Sequence, residues 1–242
     1  MNTRTGRVRI KHSVIGDSAA PAGSRAVGGT SPSVSAAAHG PVRTIAGLTS
    51  WTGNVNAFQR LFYFFILFSF LGYLGEVIVF PFYYGHFREW QGPLHGPWLP
   101  LYGFGGVALI VLLGQLRNRR IKLGRINIMP VLVFVLGFFT VSVVEFVGSW
   151  LLQTGFGITL WDYSTEPFNL QGRICLVNSL AFAVVGTALL WWFVPTIEHL
   201  LARLSARVNR ILFSIVFGAF AADFVISISL VLLGVISIRT LN

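Results

Sequence analysis

Three acids interrupt otherwise apolar runs of the chain: Glu76 in FSFLGYLGEVIVF, Glu145 in VSVVEFVGSW and Asp223 in FAADFVIS. A charge at the centre of a bilayer costs about 2.5–3.5 kcal/mol even on a lenient insertion scale, so such residues turn toward a bundle interior or a watery cavity. Their neighbours at helical spacing agree. Ser69 and Gly72 share a face with Glu76, Ser142, Gly148 and Ser149 share one with Glu145, and Ala219 and Ser227 share one with Asp223. Small and hydroxyl residues mark helix contacts rather than lipid contacts. A fourth charge, Arg173, stands where another apolar run begins. A cation there opposes the dipole of the helix that follows. Two chemistries fit this set. One is a structural ion pair that locks helices together; the other is a polar site that binds a solute or relays protons.

Five apolar stretches can hold these residues, each of the order of the ~20 residues that a spanning helix needs. They run over about 58–82, 99–116, 128–152, 174–194 and 211–238, and the second is short and glycine-rich. Lys and Arg alternate between the connections. The tail before the first stretch has six, residues 117–127 have Arg117, Arg119, Arg120, Lys122 and Arg125, and the connection before the fifth has Arg203, Arg207 and Arg210. The other connections have Arg88 and Arg173, and the C-terminus has Arg239. The positive-inside rule then places the N-terminus in the cytoplasm and the C-terminus outside. On this topology Glu76 and Glu145 lie in the outer halves of their spans, level with Arg173, and Asp223 lies near mid-span.

Both outer connections are rich in polar chemistry. In WQGPLHGPWLPLYGFGG, alternating Pro and Gly rule out a regular helix. A partly re-entrant segment over the outer mouth is expected. It carries His95 and Tyr102; a lone His in a turn is more often a packed hydrogen-bonder than a ligand. In LWDYSTEPFNLQGRICLVN, Trp161 and Tyr163 suit the interface, Asp162 can cap a turn, and Asn169 can cap the fourth span. Arg173 is the residue that loop architecture alone does not require. The segment PTIEHLLARLSARVNR reads as an amphipathic helix on the cytoplasmic surface, either anchoring the fifth span or docking a partner.

The totals set the class. Charged residues are 11% and hydrophobic residues 54% of 242, against about 25% charged in a soluble domain. The net charge of +10 sits in the tail and the connections, which argues for membrane orientation and against nucleic-acid binding. Residues 1–55 read as a disordered basic tail without the apolar core of a signal peptide, and 56–242 as a helical membrane domain. Cys175 is the lone cysteine, so no intrachain disulfide and no multi-cysteine metal site is expected. No Walker sequence, catalytic triad or zinc motif is present, and no cofactor or metal is expected.

The run FSFLGYLGE, then GPLHGPWLPLYGFG, then Glu145, then WDYSTEPFNLQGRICLVNSL together resemble the bacterial putative ABC-transporter type IV family, also called CmpB-like, over about residues 58–235. The family's Arg-Gly-Phe-Leu-type sequence before the first Gly-Pro is replaced here by Gln91-Gly92-Pro93-Leu94, so an arginine is missing. The resemblance implies a multi-spanning, permease-like protein of the bacterial inner membrane. The expected function is therefore a transporter permease or a membrane component of one. Its outward-facing polar cavity would be lined by Glu76, Glu145, Arg173 and Asp223, with His95, Tyr102, Trp161, Asp162 and Asn169 at its mouth. An ATPase would come from another chain and dock on 117–127 and 195–210, and a homo-oligomer could complete the pathway. Two alternatives stay open. One is a membrane-embedded enzyme acting on a lipid or lipid-linked substrate at the outer face, with Glu76 and Glu145 as acid and base and Arg173 holding a phosphate or carboxylate. The other is a scaffold whose polar cluster is purely structural.

Overall fold

A computed structural model describes residues 54–85, 92 and 94–233. The expected tail therefore falls almost wholly outside the described residues, as do Gln91 and Pro93.

The first helix, α1, spans Ala57–Tyr84. Its start is fixed by a capping box. The Asn56 side chain accepts from the Gln59 N–H at 2.8 Å, and the Gln59 side chain accepts from the Asn56 N–H at 3.2 Å. The helix ends at Gly85, which has a φ of 72°. Only glycine adopts such a backbone without strain. The Pro and Gly residues that follow delay the next helix until Pro100, the start of α2 (Pro100–Leu113). That helix has 14 residues. At about 1.5 Å per residue it reaches about 21 Å, well short of a hydrocarbon core of about 30 Å. Ahead of it, the Leu99 N–H donates to the Ser69 carbonyl of α1 at 3.1 Å.

A short 3-10 turn (Leu116–Asn118) and a two-stranded hairpin, β1 (Lys122–Leu123) with β2 (Ile126–Asn127), lead to α3 (Met129–Phe156). A loop carrying a second hairpin, β3 (Asn169–Leu170) with β4 (Ile174–Cys175), then leads to α4 (Leu176–Ala188). A π-helical turn, Leu189–Phe193, joins α4 to α5 (Val194–Ala202) in one rod of 27 residues. The chain turns at Arg203, and Ser205 caps the last helix, α6 (Ala206–Leu232), by accepting from the Val208 N–H at 3.3 Å.

The fold is all-α apart from the two small hairpins. Among the described residues, four helices are long and apolar enough to cross a membrane: α1, α3, the α4–α5 rod and α6. The second expected stretch gives only the short α2. A second expectation is corrected outright, because residues 195–210 are not one amphipathic surface helix. Their first half completes the α4–α5 rod, and the residues from 206 open α6. Pro195 does not break the rod, since it follows the π-turn in the first turn of α5, where a missing N–H is tolerated.

The main core joins α1, α2, α3 and the rod through Phe64, Phe68, Ile110, Met129, Val133 and Leu190. Close packing of α1 on α2 depends on glycine. A side chain at Gly103 would strike Ser69 and Phe65, one at Gly106 would strike Phe68, and one at Gly72 would strike Tyr102. The last helix lies against α1 through a seam of rings, with Phe62 meeting Phe213, Phe217 and Phe220 at centroid distances of 5.6, 5.2 and 5.9 Å.

Candidate functional site

Two of the acids come together with two phenols. Glu76 on α1 accepts a 2.6 Å hydrogen bond from the Tyr102 hydroxyl on α2, so the acid-bearing face of α1 meets α2, as its small residues imply. Glu145 on α3 is only 4% exposed. Tyr163, from the loop before α4, and Asn178 are the polar groups that act on it and on each other. Burial, followed by the nearby Glu145 carboxyl, pushes the Tyr163 phenol well above the ordinary tyrosine range. Glu76 and Glu145 lie within electrostatic reach of each other, so the four side chains form one cluster. The Oε2 atom of Glu145 is buried and has no hydrogen-bond partner among the described residues. The Phe182 ring stands edge-on to Tyr102 at 5.6 Å.

Arg173 does not pair with either acid. Its guanidinium lies on the C-terminal turns of α3, where Nη1 donates to Ser149 Oγ at 3.2 Å, Nη2 donates to Gln153 Oε1, and the Phe146 ring is 5.9 Å from its centre. Its backbone is held in the hairpin by Trp161, whose indole N–H donates to the Arg173 carbonyl at 2.8 Å. The expected pairing fails because the hairpin aims the side chain along α3 rather than inward at the acids.

Asp223 and His95 form a separate construction. The Asp223 carboxylate accepts from the His95 N–H at 3.2 Å, the Gly96 N–H at 3.1 Å, the Trp98 indole at 2.7 Å and Ser227 Oγ at 3.2 Å. The His95 ring adds a 2.6 Å contact between Nδ1 and Ser227 Oγ. Asp223 thus clasps the segment before α2 to α6. Asp162 and Asn169 serve their own loop. Asp162 accepts from the Ser164 N–H at 2.8 Å, while the Asn169 amide donates to the Ser164 and Glu166 carbonyls. Asn169 does not cap α4, whose N-cap is Cys175 without a side-chain bond. Phe168 and Gln171 hold positive φ in this loop. Such backbone persists only where its surroundings over-determine it, which explains why so many side chains are committed here.

Sequence reasoning missed two features. Glu198 on α5 takes both Arg60 of α1 and Arg117, the latter at 2.6 Å, and Arg117 also donates to the Leu190 carbonyl in the π-turn at 3.3 Å. The available signal was an acid placed among the basic connections. The second is a knot around Asn209, which accepts from the Tyr63 hydroxyl at 2.9 Å and donates to the Asn54 carbonyl at 2.9 Å and to Gln59 at 2.8 Å. These contacts gather the start of α1, the end of α2, the end of the rod and the start of α6.

Apolar helices of spanning length, with acids turned inward among small residues, define a multi-pass helical membrane protein. Residues 62–228 match the family model described as putative ABC-transporter type IV. The chain belongs to that family, as its loop motifs indicate. No curated protein and no solved structure matches it.

Proposed function

We propose that the chain is the permease-like membrane component of a transporter, with an outward-facing polar cavity centred on Glu76, Tyr102, Glu145 and Tyr163. The observation that carries this reading is Glu145, an almost wholly buried acid with one oxygen unpartnered, set beside a second acid. A purely structural acid would be satisfied, as Asp223 is by its four donors. Arg173 stands one turn further out on α3 as part of the mouth, and Trp161, Asp162 and Asn169 shape the loop that presents it.

In this reading the N-terminus is cytoplasmic and the C-terminus outside, in the bacterial inner membrane. The short α2 and the Pro/Gly segment before it, partly re-entrant, complete the fifth crossing. The clustering of Arg60, Arg117, Leu204 and Asn209 contacts at one end supports placing the basic connections on one side. A separate ATPase docks on 117–127 and on the turn around 203–210, and a second copy of the chain widens the pathway.

The test is reconstitution. The chain is purified in mild detergent, assayed for accompanying ATP hydrolysis, placed in vesicles and compared with Glu145→Gln. ATPase activity lost on Arg119→Glu/Arg120→Glu, with solute flux lost in folded Glu145→Gln, is expected. Neither ATPase nor flux from the folded wild-type chain would refute the proposal.

A further inference from the structure

We propose that the hairpin ahead of α3 is a bilayer anchor, which lays an apolar face into the headgroup layer while the cations beside it bind anionic lipid. The inference needs α3 to cross the membrane and needs nothing of transport. The register makes the hairpin two-faced. Lys122 pairs with Asn127 and Leu123 with Ile126. The Ile128 N–H donates to the Ile121 carbonyl at 3.0 Å, which carries the ladder one pair further. Side chains alternate across a ribbon, so Ile121, Leu123, Ile126 and Ile128 share one face and Lys122 and Asn127 the other. Gly124, at a φ of 63°, forms the two-residue turn with Arg125. On the apolar face Ile121, Leu123 and Ile126 are 47%, 72% and 71% exposed. Large apolar side chains gathered on one exposed face mark a contact with something else.

Position and charge select lipid as that contact. The Asn127 side chain accepts from the Met129 N–H at 3.2 Å, and the Leu132 N–H donates to the Ile128 carbonyl at 3.0 Å, so the ribbon runs into α3 without slack. The 28 residues of α3 extend about 42 Å at ~1.5 Å each. A bilayer with its headgroup layers is about 40–45 Å thick. The start of α3, and the ribbon joined to it, therefore stand at headgroup level. On the other side of the ribbon, Arg117 is tied to Glu198 at 2.6 Å. Arg119, Arg120, Lys122 and Arg125 are all exposed, and the ion pairs among the described residues use none of them. Residues 90–144 contain no Asp or Glu. An apolar face bordered by cations at this depth complements phosphates lying above acyl chains. The opposite face, with Lys122 and Asn127, stays toward water, where the ATPase of the transporter reading can still meet the segment.

The test uses the full chain in phosphatidylcholine vesicles with a minor share of phosphatidylglycerol. A bimane fluorophore is placed on Leu123→Cys or on Lys122→Cys, and the wild type, whose Cys175 is buried, controls for stray labelling. Quenchers are aqueous iodide and lipids with a nitroxide on the chain. The label at 123 should resist iodide and yield to the lipid quencher, and the label at 122 should do the reverse. At equal mole fraction, nitroxide phosphatidylglycerol should quench the label at 123 more than nitroxide phosphatidylcholine. Arg119→Gln/Arg120→Gln should lower that preference, at about fivefold per cation near an anionic surface. If the label at 123 unsettles the ribbon, Ile126→Cys on the same face should reproduce its pattern. Equal iodide quenching at 122 and 123 would put the face in water and overturn the anchor. Protection at 123 and 126 from both quenchers would mean that protein covers the face, which overturns it too. Equal quenching by the two lipids, unaltered by the arginine changes, would remove the anionic lipid.

Discussion

Replacing Glu198 with Gln should be among the most destabilising single changes in the molecule. The side chains of Arg60 and Arg117 are 8% and 13% exposed and that of Glu198 is 18% exposed, so all three are largely out of water. Arg60 also lies in the first turn of α1, where a cation opposes the helix dipole. Removing one partner from a buried pair costs about 3–5 kcal/mol, and here one carboxylate serves two guanidiniums. A loss of about 4 kcal/mol lowers the folding equilibrium roughly a thousandfold. Arg60→Met should cost less, about 1–3 kcal/mol. Glu198 then keeps Arg117 at 2.6 Å. The assay is equilibrium unfolding in mixed detergent micelles, followed by tryptophan fluorescence, for both single variants and the double variant. In the double variant the cost should fall below the sum of the singles. A Glu198→Gln protein within about 0.5 kcal/mol of wild type, or no weaker than Arg60→Met, would sink the reasoning, since neither fits a shared buried counter-ion.

Three other outcomes follow from the packing and the loops. Asp223→Ala removes the acceptor for four donors. It should release the segment around 95–98, read as faster amide exchange at Gly96 and a shift in Trp98 emission, with a stability loss of about 2–4 kcal/mol. Gly103→Ala should cost about 1–3 kcal/mol by forcing α2 away from Ser69 and Phe65. Gly105→Ala, with open space around it, should be neutral or slightly stabilising in the same unfolding assay. Tyr163 is held neutral by burial in the folded state. Its contribution is therefore present below the ordinary phenol pKa of about 10 and is lost as pH rises above it. Tyr163→Phe should flatten the fall in stability above that pH, and an unchanged slope would rule out the assignment.

Much of the architecture was legible because membrane chemistry leaves strong marks. Hydropathy located the long helices, and the small residues beside Glu76 and Glu145 implied helix contacts that the structure shows at Ser69, Gly72 and Ser142. The hydrogen-bonding loop before α4 was also visible, and Asp162 caps its turn as read, but Arg173 and Asn169 were given the wrong duties. Arg173 shows why: counting residues gives height along a helix, whereas the partner depends on rotation about an axis that a hairpin sets. Asn169 had a helix start in view and uses its amide on its own turn. Glu198 was hidden by a sound pattern, since polar residues on the apolar segment 195–210 imitate a surface helix. Only the contact between distant helix ends shows that Glu198 and Asn209 turn inward while Arg203, Arg207 and Arg210 stay exposed.

The π-turn at Leu189–Phe193 has a genetic consequence. It absorbs an extra residue in an otherwise α-helical rod, since its wider turn covers with five residues about the arc that four cover in an α-helix. Deleting any one residue there would let the rod close as continuous α-helix with both halves near their present phase. Glu198 would then still face Arg60 and Arg117. A single-codon deletion at this site should therefore be tolerated, while a deletion between residues 194 and 197, with the π-turn kept, would rotate Glu198 by about 100° and should resemble loss of the acid itself.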